Sequence, residues 1–426
     1  MHFPFFLIFC RFLTLNAIKI EEGTEWNLEE NSDLYQGDIR LSEKQHAEIF
    51  GTPSNKPRPR RQIMKNSAWP DGLVYFEYDD DSLTPQTRYL FKQAMKYISE
   101  RTCLTFEENR RVRDRVLFVL DSYCSSYIGK HGGVQEVVIG SGCNLMGNAL
   151  HELLHALGIT HSMSRYDRDD YLIINTTLLS GGDKVNYKLY NSDDTYNAIP
   201  FEYGSVMTYS ARDISEPKDK TYRETMGNRL ITFYDMIALH SNYKCTCPEN
   251  QKLDCKNGGV PNTANCSECF CPDGYGGKLC DDAPSMFSKK LMAEKNWKNF
   301  TISFGFPGLL EVELKRATLF IEAPKNKTIQ VQVTNIEGFT CYPGRCIFNG
   351  YEVKHMGDPR IMNPLFCCMD QPLWNNTYTS KLNPTPVILY TRYERQTFTM
   401  RYRFIDQNLA DLPRRNNTYD SFEYPV

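Results

Sequence analysis

A chain of 426 residues is too long for one compact core and points to two or three domains with flanking segments. With 49 Lys+Arg against 52 Asp+Glu, formally −3, bulk charge makes no case for a polyanionic partner such as nucleic acid. A hydrophobic content of 41% excludes a wholly disordered chain. After the first 20 residues no apolar run reaches the ~18–20 residues that cross a bilayer. The 15 cysteines are spread unevenly, with seven between Cys245 and Cys280. That density marks a small disulfide scaffold and excludes a reducing compartment.

Residues 1–17 carry an apolar stretch from Phe3 to Cys10 and a small residue, Ala17, suited to signal-peptidase cleavage; no Lys or Arg precedes the stretch, and Arg11 interrupts it. Asn-X-Ser/Thr tripeptides at Asn175, Asn299, Asn326, Asn375 and Asn416, with Asn265 inside the cysteine cluster, fit a secreted, extracellular glycoprotein. A segment over 18–61 turns from acidic to Pro/Arg-rich and ends in Arg58-Pro59-Arg60-Arg61. Clustered guanidiniums on an extended, Pro-flanked strand suit an acidic protease cleft, so the string reads as a processing site, with a solvated basic loop as the alternative.

From Trp69 to Cys245 the chain reads as one globular unit, inside a domain spanning 62–245. Leu83 to Arg101 has helical spacing, with Leu90, Phe91, Ala94, Met95 and Ile98 on one stripe. Arg115–Leu120 and Gln135–Ile139 read as strands. The basic run 109–115 lacks the interleaved aromatics of a nucleic-acid site and reads as a solvated connection. A cysteine-rich module follows over 246–281. A β-rich domain spans 284–406, where Thr328–Val333 and Gln396–Tyr402 alternate at period two. The tail 407–426 carries no signal.

Residues 151–161 read HELLHALGITH, after a helix-compatible run from Asn144 to Leu150. On a helix His151 and His155 lie one turn apart on one face and can point at one ion. Gly158 allows positive φ, so the chain leaves the helix sharply and brings His161 round as a third ligand. Three neutral imidazoles suit zinc and leave a position for water, beside which Glu152 is placed to take a proton. The alternative is an amphipathic core helix with incidental histidines.

This window, continued by Ser162 to Asp169 (SMSRYDRD), resembles the astacin branch of the metzincin metalloproteases, whose pattern is HExxHxxGxxHExxRxDRD. Tyr203 to Tyr209 (YGSVMTY) resembles that family's Met-turn. The resemblance implies that Met207 forms a floor beneath the metal. Tyr209 is implied to ligate zinc at rest and to swing away to bind the transition state. It also implies disulfides Cys103–Cys245 and Cys124–Cys143, and an edge strand at Gly132–Ile139 along which substrate lies extended. Tyr35 to Ile39 (YQGDI) is similar to the family's F-x-G-D-I propeptide motif, in which Asp38 would occupy the water position on zinc. One departure stands out: astacins carry Glu after the third His to receive the freed N-terminus, whereas here the residue is Ser162. A hydroxyl cannot pair with a buried ammonium, so the mature N-terminus near Gln62 is expected to be held differently or to stay in solvent.

Cys255 to Gly259 and Cys269 to Cys280 resemble an EGF-like domain. The resemblance implies the pairings Cys247–Cys266, Cys255–Cys269 and Cys271–Cys280, although six cysteines allow fifteen. Ile321 to Ile329 (IEAPKNKTI), Tyr351 to Lys354 and Phe366-Cys367-Cys368 are similar to CUB landmarks, with Cys341, Cys346, Cys367 and Cys368 supplying two disulfides. The expected fold class is therefore multidomain: an α+β metzincin (astacin-like) protease domain, a small disulfide-rich EGF-like module and an all-β CUB-like sandwich. The expected function is that of a secreted zinc endopeptidase, made as a zymogen and carrying one catalytic ion. It would hydrolyse extracellular or matrix proteins with a zinc-bound water activated by Glu152. Its partners are protein substrates and matrix ligands of the EGF/CUB modules, without nucleic acid or an integral membrane segment. The rival is a catalytically silent matrix-binding or adhesive protein, which has no need of a complete His/Glu/His/His/Tyr set.

Overall fold

The computed structural model describes residues 34–43, 45–46, 67–140, 143–179, 184, 186–190, 199–211, 214–305, 310–339, 345–367, 376–393 and 395–406. The leader 1–17, Arg58, Arg60, Arg61, Gln62, Cys341, Cys368, Asn375, Asn416 and the tail lie outside the described residues. No described helix is long and apolar enough to cross a membrane.

The N-terminal part is built on a six-stranded sheet in the order β1-β5-β6-β4-β2-β3. The strands are β1 (Ile39–Arg40), β2 (Leu73–Tyr78), β3 (Thr105–Glu108), β4 (Arg115–Asp121), β5 (Ser125–Tyr127) and β6 (Val134–Gly140). Helix α1 (Pro85–Ser99) starts where the Thr84 hydroxyl accepts the Thr87 N–H, and it buries the Leu90/Phe91/Ala94/Met95/Ile98 stripe against the sheet. Helix α2 (Met146–Ala156) buries every residue after Met146, charged ones included. Helix α3 (Phe233–Tyr243) opens on a Thr232/Asp235 capping box. A two-stranded ladder pairs β7 (Leu172–Ile174) with β8 (Ser215–Pro217).

One expectation needs correction. Residues 134–140 are not an edge strand: β6 has β4 on one side and β5 on the other. Its apolar run, buried from Val137 to Gly140, is what an interior strand requires. Outside β6 lie the short polar β5 and then β1, which forms the edge and pairs with β5 in parallel through Ile39↔Ser126 and Arg40↔Tyr127.

The cysteine-rich module is a small ladder of β9 (Val260–Pro261) and β10 (Cys269–Phe270), with disulfides Cys247–Cys266, Cys255–Cys269 and Cys271–Cys280. Downstream lies an all-β sandwich. One sheet runs β11 (Ser288–Met292), β13 (Leu310–Glu322), β18 (Thr385–Tyr393), β15 (Asn349–Val353), β16 (Leu365–Phe366). The other runs β12 (Lys298–Phe304), β19 (Gln396–Asp406), β14 (Lys327–Glu337), β17 (Thr377–Thr379). Leu319, Ile321, Val331, Tyr351, Leu389 and Met400 fill the space between them. Strand β14 outruns the sequence pattern because a bulge between Val333 and Asn335 breaks the alternation.

The sandwich packs directly on the N-terminal part. The Cys346 N–H donates to Glu224 O (3.1 Å), the Leu365 N–H to Thr225 Oγ1 (2.8 Å) and the Met362 N–H to Glu202 Oε2 (3.1 Å). Leu230 joins Met362, Leu365 and Tyr390 in one apolar cluster. Arg316 on β13 ion-pairs with Asp273 of the cysteine-rich module and reaches Ile231 O at the entry to α3.

Burial pushes the Glu202 carboxyl up from 4.5 to about 8, with backbone donors from Met362 and Gly204 opposing it. An acid whose folded pKa is raised binds a proton in the folded state that the unfolded chain has released. Stability should therefore fall as pH rises from 4.5 to about 8. Glu202→Gln, neutral throughout, should flatten that slope by an amount on the order of a few kcal/mol, read as the difference between wild-type and variant urea-unfolding curves across the window.

Candidate metal centre

Helix α2 delivers His151 and Glu152 one residue apart, and His155 a turn later, all at most 3% exposed. Its C-terminal end is tied down on several sides. The Trp69 indole N–H donates to Ala156 O (2.9 Å), while the Asn242 amide and Tyr243 hydroxyl on α3 donate to Leu157 O (2.9 and 3.2 Å). Gly158 follows at φ 97°, a left-handed backbone that favours glycine. The reversal brings His161 back against the helix.

The Nε2 atom of His161 then lies 3.1 Å from that of His151 and 3.2 Å from that of His155. A tetrahedral zinc ion about 2.0–2.1 Å from each nitrogen sets such nitrogens roughly 3.3 Å apart, so the spacing fits. Each ring is oriented through its other nitrogen, which donates to an oxygen: His151 Nδ1 to Val206 O (2.8 Å), His155 Nδ1 to Ile159 O (2.8 Å) and His161 Nδ1 to Gln36 Oε1 (2.9 Å). Those bonds place the tautomeric proton on Nδ1 and leave three Nε2 lone pairs converging.

The fourth donor is Asp38. A tight reversal, with Tyr35 and Ile39 exchanging both backbone bonds and Gln36 and Gly37 at φ 53° and 82°, aims its carboxylate at the imidazoles. Oδ2 lies 3.2 Å from His151 Nε2 and 3.2 Å from His161 Nε2, and Oδ1 lies 3.7 Å from His155 Nε2. Among the described residues, Asp38, His151, His155 and His161 each bring one donor atom within 4.8 Å of the others. Burial opposes the Asp38 charge, but the three imidazoles outweigh it and hold the carboxyl well below the usual range. Burial and the Asp38 charge together push Glu152 well above that range.

Tyr209 is not in the donor set. Its hydroxyl donates to Gln36 O, and its ring centroid lies 4.7 Å from that of His161. Met207 is fully buried, and its carbonyl accepts the Ser162 N–H at 2.9 Å. Disulfides join Cys103 to Cys245, Cys124 to Cys143 and Cys346 to Cys367. Asn175, Asn299 and Asn326 are exposed. A cavity of about 10 Å³, room for a water and no more, is lined by Asp38, His151, Glu152 and Arg229. A larger cavity of about 710 Å³ lies at the three-module junction beside Phe270 and Arg316 and holds none of the metal donors.

Residues 61–244 match the family model for Astacin, a peptidase family. The chain is 38% identical to zinc metalloproteinase nas-17 of Caenorhabditis elegans over 99% of both proteins. It is 42% identical to nas-16 of the same organism over 79% of this chain and 75% of that protein. Among solved structures it is similar to high choriolytic enzyme 1, a hatching enzyme zinc-protease from Oryzias latipes, at 25% identity and TM-score 0.38, covering 46% of this chain and 98% of that one.

This chain belongs to the astacin family. The astacin is a zinc metalloendopeptidase, and zinc is its metal. Sequence reasoning missed the layer behind the ligands: Gln36, the carbonyls of Val206 and Ile159, and Asp235, which accepts from Ser205 Oγ (2.5 Å) and the Val206 N–H (3.2 Å). Carbonyls leave no trace in side-chain identity. Asp235 was legible only as the third residue after Thr232, a capping signature.

Gln36 is the orienting acceptor for the third ligand and also donates to Ser164 Oγ (2.6 Å). Gln36→Ala in the full chain should weaken zinc retention about tenfold, measured by competition with a fluorescent chelator. Unchanged retention would remove Gln36 from the metal site.

Proposed function

We propose that this astacin is a secreted endopeptidase made as a latent zymogen and acting on extracellular or matrix proteins. Its parts are a signal peptide at 1–17, a propeptide at 18–61, a peptidase domain at 62–245, an EGF-like domain at 246–281 and a CUB-like domain at 284–406. The observation that carries the reading is the Asp38 carboxylate against all three imidazoles. It stands where water and a scissile carbonyl need to approach, and it leaves no room for a peptide side chain in the cavity beside it. Strand β1 adds to this by covering the edge of β5, and Arg40 fastens it through Glu136, Ser125 Oγ (3.0 Å) and the Tyr123 hydroxyl (2.8 Å). An exposed strand edge is a docking rail for an extended peptide, so propeptide and substrate compete for it.

Bound zinc supplies a Lewis acid that polarises the carbonyl and acidifies the attacking water. Glu152 takes that water's proton and returns it to the leaving amine. With Asp38 gone its charge no longer adds to the burial that raises Glu152, so the same event frees the cleft and lowers that carboxyl toward its ordinary range. Tyr209, released from Gln36, turns its hydroxyl to the developing oxyanion, a contribution of about 3 kcal/mol. Ser162 offers no charge to a buried ammonium, so the mature N-terminus is held differently or stays in solvent, and extending it by a few residues before Gln62 should leave kcat/KM within about twofold.

The test compares the chain before and after cleavage following Arg61, on casein and on a quenched fluorescent peptide. Cleavage should switch on hydrolysis that a zinc chelator stops. Glu152→Ala should lose roughly 10³-fold in kcat/KM with zinc still bound, measured by elemental analysis. Asp38→Ala should hydrolyse peptide without cleavage. A silent uncleaved Asp38→Ala chain would overturn the latch, and appreciable turnover by Glu152→Ala would overturn the base.

A further inference from the structure

The turn beneath the metal is closed from outside by the sandwich. Residues 204–209 are all buried, and two of their carbonyls hold the metal site: Val206 O accepts from His151 Nδ1 (2.8 Å) and Met207 O from the Ser162 N–H (2.9 Å). On the opposite side stands Met362, 2% exposed, from the loop between β15 and β16. Glu202 joins the two, accepting the Gly204 N–H at Oε1 (3.1 Å) and the Met362 N–H at Oε2 (3.1 Å). The Tyr222 hydroxyl donates to Met362 O (3.1 Å), and the Asn228 amide donates to Gly204 O (3.2 Å). A Cβ at position 204 would lie 2.4 Å from Met362 Sδ and 3.0 Å from its Cβ and Cγ. Gly204 does not have positive φ, so no backbone requirement explains it. What excludes a side chain there is Met362.

We propose that Met362 and Glu202 form a clamp through which the sandwich sets the position of the turn under the zinc ligands, so that the sandwich is part of the catalytic unit. Both are positioning residues. The path is short: Met362 against Gly204, two residues along to Val206, and from its carbonyl to the His151 ring. A displaced turn re-aims that imidazole and the Tyr209 hydroxyl together. It leaves the β5 edge, where peptide binds under the proposed function, untouched. The signature is therefore a loss in kcat with KM preserved.

The test is a substitution cycle in the full chain: Gly204→Ala, Met362→Ala and the pair together. After cleavage following Arg61, Gly204→Ala should lose roughly tenfold in kcat with KM within about twofold, and adding Met362→Ala should recover most of the loss by making room for the new methyl. The same cycle read in the uncleaved chain, as the rate of zinc loss to a chelator, is independent of proteolysis: Gly204→Ala should lose zinc faster and the pair should not. Failure of the functional reading thus shows as a silent wild type with an intact zinc cycle. If Gly204→Ala does not fold, Glu202→Ala and Glu202→Gln serve, the second retaining one acceptor and falling between wild type and the first in kcat. Wild-type kcat and zinc kinetics in Gly204→Ala or Glu202→Ala, or a Gly204→Ala defect that Met362→Ala does not relieve, would overturn the clamp.

Discussion

Three imidazole lone pairs meeting in a dry site are the constraint on which the rest of this structure depends. With each Nδ1 proton committed to an oxygen, the Nε2 atom of His161 faces those of His151 and His155 at 3.1 and 3.2 Å, a repulsive arrangement in the absence of positive charge. Burial holds His155 below its ordinary range and His161 at about 4, whereas the Asp38 carboxylate beside His151 outweighs burial and raises that imidazole to about 9. Such convergence survives only if the backbone around it cannot relax. The tethered end of α2, the glycine reversal at 158 and the turn under His151 each remove one way of relaxing.

The segment at 34–46 answers the same electrostatic problem from the other side. Asp38 brings negative charge to a cluster that attracts cations, while Gln36 completes the orientation of His161 and accepts from Tyr209. One short reversal thus satisfies the metal face, the third ligand and the tyrosine hydroxyl. The contacts are interdependent, because Gln36 and Asp38 can both reach only if Gln36 and Gly37 adopt left-handed backbone. Loss of the segment therefore removes an acceptor from His161 as well as a carboxylate from the metal, and water must take up the freed Nδ1–H.

What was legible in the sequence follows from what chain-local chemistry can encode. Helix periodicity and HELLHALGITH specify the metal ligands because three of the constraints, the i,i+4 pair, the adjacent Glu152 and the Gly158 reversal, are local. The resemblance put a sheet edge at Gly132–Ile139, but β6 is interior, and the strand beside it, Ser125–Tyr127, is three polar residues with almost no strand signal of their own. Partnership across the chain was invisible: Glu202 is an unremarkable residue before a turn until Met362, 160 positions later, sets its N–H against it.

That last contact changes how the modules relate to the chemistry. EGF-like and CUB-like domains beside a protease suggest beads on a string, with flexible linkers and separable jobs. Here Arg316 of the sandwich pairs with Asp273 of the cysteine-rich module and reaches the carbonyl of Ile231, one residue before the cap of α3. Asp235 in that cap holds Ser205 and Val206, whose carbonyl orients His151. The sandwich thus reaches the same turn by two routes, one through Glu202 and one through the N-terminus of α3. Two independent supports fix a position more firmly than either alone, because a hinge motion that relaxes one strains the other. A metal site whose ligand geometry tolerates only a few tenths of an ångström is where such redundancy has most effect.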